Sequence, residues 1–525
     1  MRILIADAVD ETCVTVLLND GFKVDLKPEI SHGELLNVIS EYEGLIVRSR
    51  TKVTAQLLEN ARRLRVIGRA GAGVDNIDVD AATRRGVIVM NTPGGNTIST
   101  AEHTLSLLFA LARNIPQADA SLRGGKWERE KFIGVELYGK TVGIIGLGKV
   151  GREVARRCLA LGMKVIGYDP LLSNDVALKL GVELVPLDEV YRRADFLTVH
   201  VPLNSETRGL IGEHEIHRCK PGVRIINCAR GGIVDEDALL KGLESGHVAG
   251  AALDVFTHEP PGHHALLHHE KVIATPHLGA STEEAQEKVS AQIALQVADA
   301  LNERGFTGVV NASALQQGLR VEIRPYALLA EKMGSLQAQL MRGKLRSLTI
   351  TCSGHLLQQS QELLTAAALK GTLSHLLEEP VNYVNAPVIA REMGVVVNER
   401  REQEAENFLN LLTLEYETEK EKRSVSGTVF AQTNIRIVRI DGYYLEVKPE
   451  GYLLFYSNID RPGMLASVGS ILAKSNINIA GVALGRLEAG KSALTIMSVD
   501  SDIPDSVLKE IMHIDGVFDS KVVCV

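Results

Sequence analysis

Thr141–Gly151 reads TVGIIGLGKVG, a short apolar run followed by Gly146-x-Gly148-x-x-Gly151 and then a helical pattern over Lys149–Leu161. No other stretch of the chain constrains the fold as strongly. Glycines at this spacing serve a strand-to-helix turn. The first permits the tight turn, the second lets a pyrophosphate approach the backbone, and the third lets the helix pack on the strand. The free N–H groups and the dipole at the helix start then favour an anion. The glycines alone are a weak signal, but a second apolar run, Lys164–Tyr168, ends at Asp169, 18 residues beyond Gly151. An acid there accepts from a ribose 2′-hydroxyl and repels a 2′-phosphate. Pro170 follows rather than an arginine. The reading is a βαβ unit that binds NAD in preference to NADP.

The rest of the chain extends this pattern. Apolar runs before the fingerprint predict strands at Arg2–Ala6, Phe22–Asp25, Gly44–Arg48, Arg65–Arg69 and Val87–Asn91. Six more are predicted from the fingerprint on, at Thr141–Ile145, Lys164–Tyr168, Phe196–His200, Val223–Asn227, Gly250–Asp254 and Val272–Thr275. Alternation with helical segments implies parallel sheets, the second of them doubly wound. A long helix is expected near Thr100–Arg113. Ser281 and Glu284 read as a capping box opening another that runs to about Glu303. Gly305–Gly318 looks like a linker. Residues 319–450 are less legible, and their charge run Glu415–Arg423 reads as a solvated face or loop. Residues 452–525 give βαββαβ, the ferredoxin-like order. At about 100–200 residues per domain, 525 residues suggest three to four domains.

Composition narrows the function. A net charge of −8 argues against a general nucleic-acid or membrane-surface role. The six cysteines form no CxxC pair and read as reduced thiols, with no metal site expected. His263, His264, His268 and His269 read as a polar loop. The N-terminus lacks the long apolar region of a signal peptide, and no stretch approaches the ~18 apolar residues of a spanning helix. A cytoplasmic protein is expected.

Three segments begin where predicted strands end, the place where open α/β sheets bind ligands: Asn227–Gly232, Asp254–Pro260 and Thr275–Gly279. Oxidising a secondary alcohol requires a group that takes the hydroxyl proton, and a histidine titrates near neutrality. His277 is the candidate, with Glu259 on its other ring nitrogen. Arg230 can hold a carboxylate bidentately and polarise the carbonyl. A lone histidine is more often structural, and the chain has 15.

The fingerprint together with CARGGIVDE (Cys228–Glu236), GAALDVF-x-x-EP (Gly250–Pro260) and PHLGAST (Pro276–Thr282) closely resembles the D-isomer-specific 2-hydroxyacid dehydrogenases, in their long form with two extra C-terminal regions. The resemblance implies an α/β fold of two doubly wound parallel-sheet lobes, a flavodoxin-like substrate lobe and a Rossmann NAD domain, followed by an α/β intervening domain and a ferredoxin-like ACT domain. The substrate lobe is discontinuous, 1–98 plus 283–311, around an NAD-binding domain at 99–282. The intervening domain spans 319–450 and the ACT domain 452–525. Arg230, Glu259 and His277 become the catalytic triad. Implied cofactor contacts are Gly146, Gly148, Gly151, Lys149, Val150, Asp169, Ala72, Cys228, Ala229, Asp254 and Gly279. Val201 joins them through its main chain only, since relatives often carry threonine there. Gly71 and Gly73 would hold the substrate carboxylate, with Asn96 beside them. Of the cations Arg48, Arg50, Lys52 and Arg69 near strand ends, the resemblance assigns a substrate phosphate to Arg48 and Arg69, with Lys52 nearby. Arg129 would reach a neighbouring subunit's site.

The implied reaction is oxidation of 3-phospho-D-glycerate by NAD to 3-phosphohydroxypyruvate, the first step of L-serine synthesis. The tail from Asn458 to Gly463, with Asn476–Ile479, implies an effector site for L-serine. There Asp460 would take the ammonium and Asn478 would bridge a partner domain. A homo-oligomer, a tetramer, is implied, with no nucleic acid or membrane partner. Two alternatives share the scaffold: a general 2-oxoacid reductase acting on glyoxylate, hydroxypyruvate or 2-oxoglutarate, and an NAD-sensing binding protein.

Overall fold

The computed structural model describes residues 1–316 and 321–525. The far end of the expected linker Gly305–Gly318 and the expected start of the intervening region at 319 lie outside the described residues.

Five strands open the chain: β1 (Arg2–Ile5), β2 (Lys23–Leu26), β3 (Gly44–Val47), β4 (Val66–Arg69) and β5 (Ile88–Asn91). They form one parallel sheet in the order β2-β1-β3-β4-β5, the flavodoxin-like arrangement. Apolar residues on both faces explain why the strands read as short unbroken runs: Ile3, Leu4 and Ile5 are all fully buried, as are Leu45, Ile46 and Val47.

The second sheet holds β6 (Thr141–Ile145), β7 (Lys164–Tyr168), β8 (Glu183–Leu184), β9 (Phe196–Val199), β10 (Val223–Asn227), β11 (Val248–Leu253) and β12 (Val272–Ala274), in the order β12-β11-β10-β9-β6-β7-β8. All neighbours are parallel, and the order reverses between β6 and β9, the switch point at which ligands bind. The seventh strand, β8, is a correction to the six expected; at two residues it carries no pattern.

Two long helices join the lobes. The crossover helix Thr97–Arg113 starts earlier than expected and packs on β10, β11 and the fingerprint helix Lys149–Ala160. The return helix Glu283–Leu301 packs on β3, β4, β5 and the helix Glu11–Asn19 of the first sheet. Its N-cap is Thr282, whose Oγ1 accepts from Ala285 N, so the expected Ser281–Glu284 capping box does not form. Ser281 instead lines the cleft between the lobes.

A third sheet contains β13 (Leu345–Ser353), β14 (Val396–Glu402), β15 (Leu411–Thr418), β16 (Lys422–Phe430), β17 (Asn434–Ile440) and β18 (Tyr443–Val447), covered by the helices Arg324–Leu340 and Gln361–Leu376. The charge run Glu415–Arg423 is a hairpin rather than a loop, and Glu417, Glu419, Lys420 and Lys422 form its solvated face. It joins β15 to β16, buries Tyr416 and Thr418, and pairs Arg423 with Asp441. The last 74 residues fold as strand, helix, strand, strand, helix, strand, with β19 (Tyr452–Ile459), β20 (Ile479–Arg486), β21 (Ser492–Val499) and β22 (Val517–Cys524) antiparallel in the order β20-β21-β19-β22. Among the described residues no helix is long and apolar enough to cross a membrane.

Candidate active site

The cleft between the first two sheets encloses a cavity of about 390 Å³. Its walls bring together Arg48, Arg69, Gly71, Ala72, Gly73 and Asn96 from the first lobe with Arg230, Glu259 and His277 from the second. Residues distant in sequence meet because each lies at the carboxyl end of a parallel strand: Arg48 just after β3, Arg69 at the end of β4, Arg230 beyond β10 and His277 beyond β12.

His277 Nδ1 lies 2.8 Å from Glu259 Oε2. A carboxylate only accepts, so Nδ1 carries the proton and Nε2 is left as the acceptor toward the cleft. Burial raises the Glu259 carboxyl, but the His277 hydrogen bond and charge, the Phe256 N–H and the nearby Arg230 outweigh it and hold it below the usual carboxylate range. Glu259 is therefore ionised wherever the histidine works. His277 itself sits at φ 56, in the left-handed region unusual for a side chain of its size.

Arg230 Nε donates to Asp75 Oδ2 at 3.0 Å and Nη1 to the Ala229 carbonyl at 2.7 Å. The guanidinium lies so close over Gly73 that a Cβ there would meet Arg230 Nη2 at 2.1 Å; likewise a Cβ on Gly71, at φ 149, would meet Arg69 Nη1 at 2.1 Å. These glycines are small because the arginines fold back over them. Arg69 is largely buried, its Nε has no hydrogen-bond partner, and burial with the like charge of Arg230 pushes it down to about 10. Arg48 is also lowered by burial, and its Nη1 donates to the Ala8 carbonyl at 3.0 Å. Four guanidinium groups, those of Arg48, Arg50, Arg69 and Arg230, line one cavity, and the Nε of Arg69 has no acceptor.

Not every cation near the strand ends is free to take a ligand. Arg50 is committed to a clasp: Nε pairs with Asp7 at 3.1 Å, and Nη2 donates to the carbonyls of Ala6 and Pro28. Lys52 and Arg129 do not line the cavity.

The second lobe fits a dinucleotide. Gly146, at φ 92, has no room for a side chain, since a Cβ would lie 2.5 Å from the His200 carbonyl and 2.7 Å from Val201. Gly151 is tighter still, 2.0 Å from the Gly146 carbonyl. A Cβ on Gly148 would meet nothing within 4 Å, and Gly148 caps the fingerprint helix without a side-chain bond. Open space and uncapped N–H groups at the start of a 12-residue helix suit a pyrophosphate. Val150 lies in that helix's first turn, and Lys149 reaches across the cleft to the Pro93 carbonyl at 3.0 Å. Asp169, at the end of β7, accepts from Leu147 N at 2.8 Å and Leu171 N at 2.9 Å, which presents its carboxylate beside the glycine turn. Cys228 is buried, which pushes its thiol up to about 12, and Ala229 N donates to Asn227 Oδ1. Asp254 is buried under the His277 loop, where its Oδ2 accepts from Gly279 N at 2.9 Å.

Sequence reasoning passed over Asp75, His103 and Thr275. Asp75 stands two residues beyond Gly73, an acid beside the glycines read as holding the substrate, which was the available signal. His103 sits among apolar helical residues and gave none. In the C-terminal unit Asp460 Oδ2 accepts from Arg486 Nη1 and Gly490 N, each at 3.1 Å, while Asn478 Nδ2 donates to Asp500 Oδ2 at 2.7 Å. The two residues have separate partners. Among the described residues no group of three or more histidine, cysteine or acidic side chains is placed to hold a metal ion.

Comparison with known proteins places this geometry. Residues 105–279 match the NAD binding domain of the D-isomer specific 2-hydroxyacid dehydrogenases, 322–441 the D-3-phosphoglycerate dehydrogenase intervening domain, and 452–514 the ACT domain. A glyoxylate reductase from Paecilomyes thermophila superposes with a TM-score of 0.55 at 30% identity, covering 59% of this chain and 98% of its own. The chain belongs to the D-isomer specific 2-hydroxyacid dehydrogenase family, and is an NAD-dependent dehydrogenase. Within it, the chain is similar end to end to proteins named D-3-phosphoglycerate dehydrogenase. One from Synechocystis sp. is 42% identical over 99% of this chain and 94% of its own. One from Archaeoglobus fulgidus is 42% identical over 99% of each.

Proposed function

We propose that the enzyme oxidises 3-phospho-D-glycerate to 3-phosphohydroxypyruvate, with Arg230, Glu259 and His277 as its catalytic residues. The observation that carries this reading is Arg69: a buried guanidinium with an unpaired Nε, facing a cavity that it shares with Arg48 and the candidate triad. A buried unmatched cation is costly unless a ligand supplies the acceptor. An unphosphorylated hydroxy acid has one carboxylate, which Arg230 and the backbone of Gly71–Gly73 satisfy; Arg48 and Arg69 call for a second anion.

Bound NAD supplies the hydride acceptor. The chain supplies the proton chemistry and the charge. His277 Nε2 takes the C2 hydroxyl proton while Glu259 holds the ring and balances the imidazolium that results. Arg230 holds the carboxylate and polarises the incipient carbonyl. Asp169 favours a cofactor with a free 2′-hydroxyl.

L-Serine is the proposed effector of the ACT domain. Support comes from Gly463, at φ 94, which caps the helix Met464–Lys474 with no side-chain bond, near Asp460. A homo-oligomer is proposed because Trp127, Ile133 and Tyr138 stand exposed on one segment of the second lobe. The test is NADH oxidation with 3-phosphohydroxypyruvate against hydroxypyruvate, each with and without L-serine. A strong preference for the phosphorylated acid with inhibition by serine is expected. Equal rates would favour a general 2-oxoacid reductase, and indifference to serine would leave the ACT domain an assembly module.

A further inference from the structure

The crossover helix Thr97–Arg113 also grips the loop that carries His277. Ser99 Oγ and Thr100 Oγ1 both donate to the Gly279 carbonyl, at 2.7 and 3.1 Å. One turn on, His103 Nε2 lies 3.0 Å from Asp254 Oδ1 and 3.2 Å from Thr275 Oγ1. The same Asp254 carboxylate accepts from Thr275 Oγ1 at 2.5 Å, Leu278 N at 2.7 Å and Gly279 N at 2.9 Å, and the Asp254 carbonyl accepts from His277 N at 2.9 Å. Both sides of the loop around His277 are therefore bonded to Asp254, and Ser99 and Thr100 hold only its far end at Gly279.

Asp254 is a carboxylate with 1% of its side chain exposed. A buried charge persists only when its lone pairs are matched. Three of its four donors come from the loop that it holds; the fourth, His103, comes from outside, with 18% of its side chain exposed. A carboxylate cannot donate, so His103 Nε2 carries the hydrogen. His277 meanwhile holds φ 56, in the left-handed region that few non-glycine residues enter, and the hydrogen bonds that Asp254 accepts from it and the residues around it hold it there.

We propose that His103 is a positioning residue for the dehydrogenation. By donating to Asp254 it fixes the carboxylate that pins residues 277–279, and so keeps the His277 ring against Glu259 with Nε2 toward the cleft. The proposal rests on the reading of His277 as the acid/base.

The test compares His103→Leu, His103→Asn and His103→Gln with the unaltered enzyme, in steady-state kinetics and thermal melts. Leucine fills the space without a donor. The asparagine amide is too short to reach the Nε2 position, and the glutamine amide reaches it. Leu and Asn variants are expected to lose about 10- to 100-fold in kcat, the size of effect that a misplaced reacting group produces. KM for the hydroxy acid should stay within about threefold, since the arginines proposed to hold it lie outside this network. The Gln variant recovers most of the activity. The proposal is overturned if the Leu and Asn variants keep full kcat and merely melt lower, if the NAD KM alone rises, or if Gln is no better than Leu. If His103→Leu fails to fold, the Asn and Gln pair decides the matter. His277→Asn, measured alongside, separates the two layers: an active His277→Asn variant removes the acid/base reading and this proposal with it, whereas an inactive one beside a fully active His103 series removes only the proposal.

Discussion

Replacing Arg69 by methionine should make the protein more stable and the enzyme far worse. Burial and the like charge of Arg230 push the guanidinium well below its ordinary value, to about 10. A difference of that size disfavours the charged form by about 3 kcal/mol, to order of magnitude. The depressed value belongs to the folded state, so the destabilisation is present at every pH below about 10 and disappears only as the group deprotonates. Methionine fills similar space without charge and relieves the unpaired Nε. Set against some lost packing, the gain is about 1–3 kcal/mol, or roughly 2–8 °C in the melting of the first lobe. Inorganic phosphate at ten times its Kd should stabilise the unaltered protein by about 1.4 kcal/mol and the variant hardly at all. Activity should move the other way: kcat/KM for 3-phosphohydroxypyruvate should fall about 100-fold, and for hydroxypyruvate by only a few-fold. The assays are thermal melts in chloride buffer with and without phosphate, and NADH oxidation with the two acids. A lower melting temperature, equal losses on both acids, or equal phosphate stabilisation of both proteins would refute the argument.

How much of this was legible depends on what kind of pattern each part leaves. Most strands of the two parallel sheets stand out because burial on both faces gives them an apolar centre; Thr141–Ile145, Lys164–Tyr168 and Val223–Asn227 begin and end where the sequence puts them. β8 escaped because Glu183–Leu184 is too short to have a period. β15 escaped for a different reason. Its outward residues Glu415 and Glu417 are charged, and with Glu419 to Arg423 beyond they hid the inward Tyr416 and Thr418. The helix start at Thr282 rather than Ser281 is a choice between two adjacent hydroxyls, settled by Ser281 facing the cleft. At the site, chemistry was readable where a residue type is forced, as at the glycines and the His277–Glu259 pair. The proposed phosphate cations came only from the family resemblance, because Arg48 and Arg50 look alike in sequence; in the fold Arg50 is held by Asp7 and by the carbonyls of Ala6, Pro28 and Ile30. The His103–Asp254–Thr275 network was invisible for a similar reason: its members lie far apart along the chain, and nothing local asks any of them for a partner.

Two further perturbations separate fold from function. Gly148→Ala should leave the melting temperature unchanged, since its Cβ meets nothing, yet raise the NAD KM at least tenfold. Gly151→Ala, whose Cβ would lie 2.0 Å from the Gly146 carbonyl, should destabilise the second lobe before any kinetic effect is read. Parallel melts and NAD titrations check both, and a melting loss in Gly148→Ala would mean that the open space is not a ligand site. Asp254→Asn probes the loop that carries His277. Burial raises the Asp254 carboxyl, but His103, Thr275 and Leu278 N outweigh it and hold it below the usual carboxylate range. A folded value below the unfolded one, about 3.9, contributes stability in full above roughly pH 5 and loses it as pH falls through the folded value. The melting difference between His103→Gln and His103→Gln/Asp254→Asn, a pair with no histidine on the carboxylate, should therefore be flat from pH 6 to 8 and shrink below about pH 4. Differential scanning calorimetry across that range tests it. A difference that varies between pH 6 and 8 would mean that some group other than this carboxylate, titrating near neutrality, holds residues 277–279 in place, and the loop's geometry would then follow the assay pH instead of standing fixed beneath it.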